Sequence, residues 1–284
     1  MDQTLVPRDG PGETFVSYAR NFEDVMLWRA LSGVREGFYI DAGAGDPDMH
    51  SLTRAFHEHG WRGINVEPAL KPFAALVARR TDDINLRRAL SDTIGEQVFH
   101  VVDDPALSSL EPEIAAYHRA NGSRVREMRI PTTTLAEICR QHVTGDIHFL
   151  SVTVEGSEAK VLRGADFTGF RPWIVLMRAV FPLSRVETHA AWEPMLLAAG
   201  YRFAWFDGLK RFYIAAEKHA ELAPHFHLPP NLFDRFQMAD PAKQAMAEEL
   251  ETTRMELQYL RRRIQTLEGR VEAQGKDGQG KDGG

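Results

Sequence analysis

Two carboxylates and two glycines stand where a chain can grip a cationic, sugar-bearing ligand. Asp41-Ala-Gly43-Ala-Gly45-Asp46 is a tight glycine turn that follows the apolar run Gly37-Phe-Tyr-Ile-Asp41. A second apolar run, Gly63-Ile-Asn-Val-Glu67, also ends on a carboxylate. Glycines after a strand let the backbone approach a ligand closely. A dinucleotide fingerprint needs a third glycine where Asp48 stands, and a pyrophosphate entering the turn would meet the charge of Asp41. An amine-bearing cation without phosphate meets no such conflict. S-adenosylmethionine has an amine, a sulfonium and a ribose diol, and Glu67 can accept two hydrogen bonds from such a diol. Plainer roles stay open. Asp41 also fits a turn carboxylate, and Glu67 a solvated strand end before Pro68.

These residues need strands to hold them. The chain reads as strand, turn and helix, repeated. Asp46-Pro47 looks like an N-cap with proline at the first helical position, and Met49, Leu52 and Phe56 follow at helical spacing. Pro68 opens a helix carrying Leu70, Phe73, Leu76 and Val77, and a third apolar run, Ile84 to Leu90, leads to Ser91-Asp92. Ile147 to Val154 and Trp173 to Ala179 are buried-strand candidates, and Tyr201 to Phe206 and Arg211 to Ala216 flank the hairpin signal Asp207-Gly208. Repeated units of this kind predict a parallel sheet with helices on both faces and a late antiparallel strand at one side. Ligands bind such sheets at the carboxyl ends of the strands. That places the site near Asp41, Glu67, Asp92, Val154 and Ala179, with Asp41, Gly43, Gly45, Glu67 and Asp92 as the cofactor contacts.

Several separated blocks, in order, resemble the FkbM family of S-adenosylmethionine-dependent methyltransferases. They are Ser17-Tyr-Ala-Arg-Asn-Phe-Glu-Asp-Val-Met-Leu-Trp28, Phe38-Tyr-Ile-Asp41, Gly60-Trp-Arg-Gly-Ile-Asn-Val-Glu67-Pro68, and Asp146-Ile-His-Phe-Leu150 leading into Val154-Glu155-Gly156. The resemblance covers roughly residues 14 to 236. It implies an α/β fold with a Rossmann-like seven-strand methyltransferase sheet. It implies O-methylation of hydroxyls on sugars, polysaccharides or polyketides, with Asp41, Gly43 and Glu67 contacting the cofactor. The chain departs from the family pattern at polar positions. A block that normally reads Lys-Ile-Asp-Val-Glu-Gly is Ser151-Val152-Thr153-Val154-Glu155-Gly156 here, an acid near the end of the fifth strand is Arg178, the usual Asn of the glycine turn is Gly45, and a Gln of the early block is Arg20.

An alcohol needs a base or a metal to attack a methyl group at neutral pH. Thr153 is neither a base nor a charged ligand. Glu155, Thr153 and Arg178 therefore define the catalytic neighbourhood, with Glu155 a base candidate and transfer to hydroxyls expected to be weak or absent. Arg178 brings positive charge toward a sulfonium unless Glu155 or Asp46 pairs with it. Glu155 also fits an acid at a helix N-terminus. His50, His148 and His189 are further base candidates, His148 fitting a core histidine and His50 a solvated one. Cys139 reads as a small buried hydrophobe. The competing function is a non-catalytic domain that binds the cofactor or a partner and oligomerises.

Composition bounds these readings. The 284 residues are 43 % hydrophobic and 26 % charged, with 34 Lys and Arg against 40 Asp and Glu, a net charge of −6. A globular domain with an appendage fits, and general nucleic-acid binding does not. A single cysteine excludes an internal disulfide and fits a reducing cytoplasm. No run approaches the roughly 20 apolar residues of a membrane span. Residues 1–13 read as a flexible arm without a signal-type apolar core, 14–236 as the methyltransferase domain, 240–273 as a coiled-coil helix and 274–284 as a disordered tail. In the helix, Leu250, Leu257, Ile264 and Val271 take heptad position a, and Met246, Thr253, Leu260 and Leu267 take d. The flanking pairs Glu249 with Arg254, Glu256 with Arg261 and Arg263 with Glu268 are opposite in sign and modestly favour a parallel pair. A homo-oligomer through residues 246–271 is expected, beside a small-molecule or glycan acceptor. The helix folding back on its own domain is the other possibility.

Overall fold

In the computed structural model the chain divides into two units, Met1–Met238 and Ala239–Gly284. The structure describes residues 14–240 and six later helical positions: Thr253, Arg254, Leu257, Leu260, Arg261 and Ile264. The arm 1–13, the tail 274–284 and most of the 246–271 heptad pattern lie outside the described residues. Leu257, Leu260 and Ile264 are each about half exposed. Among the described residues no helix is long and apolar enough to cross a membrane.

The first unit begins with β1 (Phe15–Ser17) and α1 (Glu23–Leu31), then β2 (Phe38–Ala42), α2 (Arg54–Glu58), β3 (Arg62–Val66), α3 (Leu70–Arg79) and β4 (Ile84–Leu86). A small three-stranded sheet follows, built from β5 (Ala89–Leu90), β6 (Gly95–Val102) and β7 (Val125–Thr133), with α4 (Pro112–Ala120) between the last two. The chain then forms α5 (Leu135–His142), β8 (Phe149–Val152), α6 (Glu158–Arg163), β9 (Ile174–Arg178), α7 (Glu193–Ala198), β10 (Tyr201–Phe206), β11 (Lys210–Ala215), a short helix and β12 (Phe236–Met238).

The main sheet has seven strands in the order β10-β11-β9-β8-β2-β3-β4. Strands β4, β3, β2, β8 and β9 are parallel; β11 runs antiparallel to β9, and β10 to β11. The register shifts between Phe203 and Trp205 in β10, a bulge in the edge strand. Side chains alternate across the pleat. Ile40, Leu150 and Val175 pack with Leu135, Ile138 and Leu196 of α5 and α7 on one face. Tyr39, Phe149, Ile174 and Phe212 pack with Met26, Leu27 and Phe56 of α1 and α2 on the other. The predicted α/β sheet with helices on both faces is the observed one.

Two expectations need correction. The run Ile84 to Leu90 is not one strand: it ends in the main sheet at Leu86, and Ala89–Leu90 pairs with β7 in the small sheet. Asp46-Pro47 does not open a helix reaching Phe56. The Asp46 carboxylate accepts from the amides of Asp48 and Met49, but His50 adopts φ 58°, outside right-handed helix, and α2 starts only at Arg54.

Candidate active site

From β2 the chain runs outward through β3 and β4, then returns to lay β8 on the opposite side of β2. The switch point lies between β2 and β8. A crevice opens there because the loops leaving the two strands diverge. The cleft found there has a volume of about 470 Å³, and Asp41, Gly43, Glu67, Thr153, Glu155 and Arg178 line it.

Gly43 has φ 79°, and a Cβ on it would lie 1.9 Å from the Thr153 carbonyl oxygen. Only glycine lets the two loops meet this closely. Gly45 has φ 65° with open space around its absent Cβ. Asp41 is buried, directly across from Ser151 in the β2–β8 register. Burial pushes its carboxyl above the usual range, while Lys210 and the Ser151 hydroxyl pull it back. Glu67 is buried as well. One of its oxygens accepts from the Gly45 amide at 2.9 Å and the other from the Ala69 amide at 2.7 Å. Burial raises it to about 7, against those two amides. Leu90, Phe99, Leu107 and Leu110 supply apolar lining to the cleft.

The opposite wall carries Glu155 and Arg178. Glu155 is buried with φ 48°, a strained setting for a residue with a side chain. Its Oε1 lies 3.2 Å from the Arg178 guanidinium. Its Oε2 and the Arg178 Nε are buried without a hydrogen-bond partner. Burial raises the Glu155 carboxyl, opposed first by Arg178, then by Arg20 and Lys210. Thr153 lines the cleft, its amide donating to the Ala42 carbonyl. Of the two partners open to Arg178, the structure gives it Glu155.

Asp92 does not line the cleft. It accepts from Arg163 at 2.9 Å, which holds its carboxyl below the usual range. The strand end it was expected to mark is the early one at Leu86. His148 accepts from the Phe38 amide through Nδ1 between Trp61 and Trp173, and burial lowers its pKa. His189 lies beside Glu187 and Glu193, while exposed His50 is on the rim of the cleft. Cys139 is buried in the core, its thiol pushed up to about 12. Among the described residues no three His, Cys, Asp or Glu side chains group as a metal site requires.

Glu23 and Lys210 were not anticipated as site residues, and Arg20 was marked only as a departure from the family pattern. The Asp24 carboxylate accepts from the Ser17 hydroxyl and the amides of Tyr18, Ala19 and Val25, folding residues 17–25 into a turn that hangs Arg20 and Glu23 over the cleft. Lys210, buried at the start of β11, brings its Nζ to 3.4 Å from Ser151 Oγ and 3.7 Å from Glu23 Oε1. A lysine at position 151 would meet that ammonium.

The buried acids at adjoining strand ends, the glycine turn and the apolar lining belong to a doubly wound α/β domain with its cleft at the switch point. Residues 41–203 match the family described as the methyltransferase FkbM domain, and the chain belongs to that family. No curated protein matches it in sequence.

A pH dependence follows from the buried acids. Glu67 and Glu158 are raised to about 7, chiefly by burial. An acid raised on folding binds a proton that the unfolded chain releases, so stability falls as pH rises through the folded value. Buried His118 and His148 are lowered and cost stability only below their ordinary 6.5. The melting temperature is therefore expected to fall between pH 6.5 and 8. The Glu158 effect, spread from 4.5 up to about 7, totals roughly 3 kcal/mol, of which about 1 kcal/mol falls above pH 6.5. Thermal melts of Glu158→Gln should show a flatter profile; an unchanged slope assigns the effect elsewhere.

Proposed function

We propose that the chain is an S-adenosylmethionine-dependent O-methyltransferase acting on a hydroxyl of a glycan or secondary metabolite. The carrying observation is the pair of buried carboxylates, Asp41 and Glu67, at adjoining strand ends around the Gly43 turn. Their chemistry fits the cofactor: Asp41 toward the amine, Glu67 toward the ribose diol, and the apolar lining of the cleft toward the flat base. When bound, the cofactor supplies an electrophilic methyl group. Removing one charge-assisted contact costs roughly 1.5–3 kcal/mol, or about 10- to 150-fold in affinity. Calorimetry with S-adenosylhomocysteine should show that loss for Asp41→Asn and for Glu67→Ala. Dissociation constants within twofold of the unaltered chain would place the cofactor elsewhere.

Glu155 is the base of this reading. It takes the acceptor's hydroxyl proton on Oε2, whose hydrogen-bonding capacity is unused. Thr153 offers the acceptor a hydroxyl and no charge. Arg178 restrains the base, because an ion-paired carboxylate gives up basicity. Slow transfer to neutral hydroxyls follows. The same ion pair favours the second reading, a domain that binds the cofactor without turning it over. Turnover separates the two.

The half-exposed Leu257, Leu260 and Ile264 support self-association through residues 246–271. Deleting everything after Asp240 should leave a folded monomer. Light scattering that gives the same number of subunits per particle before and after deletion would reject this role.

A further inference from the structure

The acceptor wall of the cleft carries more positive charge than its acid needs. Arg178, Arg20 and Lys210 all act on the Glu155 carboxyl, and Asp104 opposes them. Lys210 is occupied by Glu23 and Ser151. Arg20 is exposed on the turn that Asp24 holds, and it has no ion-pair partner among the described residues. Arg178 spends one guanidinium nitrogen on Glu155 and keeps its buried Nε free. A guanidinium with an unused edge, with a second arginine lining the same cleft, suits a group that accepts two parallel hydrogen bonds.

Building on the reading of Glu155 as the base, we propose that the acceptor carries an anionic group, a carboxylate or a phosphate ester, near its reacting hydroxyl, and that Arg178 and Arg20 bind it. The anion takes over the charge of Arg178 and loosens that arginine from Glu155. The freed carboxylate then receives the hydroxyl proton: the O–H bond breaks, an Oε2–H bond forms and the electron pair stays on the acceptor oxygen. A neutral acceptor satisfies the two unpartnered atoms but leaves the Arg178–Glu155 pair in place.

The test is calorimetry on the full chain saturated with S-adenosylhomocysteine. The probes are methyl glucoside, methyl glucuronide and methyl glucoside 6-phosphate, which share a ring and differ at one carbon. At least one charged sugar should bind tenfold or more tightly than the neutral one. The uronide being tighter identifies a carboxylate, and the phosphate being tighter identifies a phosphate ester. Arg20→Gln, a change at an exposed position that should not disturb folding, and Arg178→Gln should each reduce the preference to less than threefold. Equal affinities, no binding of any sugar, or a preference that survives both substitutions would overturn the proposal. Failure of S-adenosylhomocysteine itself to bind would overturn the underlying cofactor reading, and this proposal with it.

Discussion

Gly43→Ala is expected to abolish measurable cofactor binding, with a loss of more than 100-fold. The added Cβ would sit 1.9 Å from the Thr153 carbonyl oxygen. That neighbour is backbone, fixed by the bond from the Thr153 amide to the Ala42 carbonyl. Relief therefore requires either the Asp41–Gly45 turn or the Thr153–Gly156 loop to shift by more than an ångström. The first movement displaces Asp41, and the second displaces the Thr153 backbone that lines the same cleft. Gly45→Ala is the internal comparison. Its φ is also positive, so it bears a backbone cost of roughly 1–2 kcal/mol, but nothing lies within 4 Å of the new methyl group. Titration of both variants with S-adenosylhomocysteine decides: equal losses would mean that backbone conformation matters and the close approach does not.

Glu155→Gln is expected to lower methyl transfer by about 10²–10⁴-fold, the usual worth of a general base. The substitution keeps the shape of the side chain and removes its proton-accepting charge. Glu155 stands on the wall opposite Glu67, so S-adenosylhomocysteine affinity should change less than threefold. Transfer of label from cofactor to a panel of neutral and acidic glycosides measures the effect. Activity within threefold of the unaltered chain would move the base to another residue, His50 on the rim being next in reach. Turnover of neutral glycosides at about 1 s⁻¹ or faster by the unaltered chain would show that Arg178 does not restrain Glu155.

The parts of this architecture that rest on local rules were legible in the amino-acid order. Apolar runs ending on Asp41 and Glu67, and the hairpin at Asp207-Gly208, require only period, turn chemistry and chain reversal. What stayed hidden depends on contacts between distant segments. Asp92 follows an apolar run as Asp41 and Glu67 do. Yet that run breaks after Leu86, where the chain leaves one sheet for another, and no local pattern marks the break. Lys210 looks like an ordinary residue after a hairpin; only the register that sets it opposite Arg178 carries its ammonium to Ser151. Arg20 and Glu23 lay in a block recognised as a whole, without a role for either side chain. A signal for them was present in Asp24, whose spacing from Ser17 allows the turn that holds both over the cleft.

The bulge in β10 has a consequence for how copies of this chain can meet. A sheet edge is a row of unpaired amides and carbonyls, and a flat one invites another chain to add a strand. On one side of the main sheet that edge is β10, whose regular pairing is interrupted between Phe203 and Trp205. On the other it is β4, only three residues long. Neither offers a long, even template. Removing the hairpin would uncover β9, a strand buried along most of its length, and should promote strand addition between copies. Protection of the β9 edge is thus built into the last two strands of the sheet, which also deliver Lys210 to the cleft.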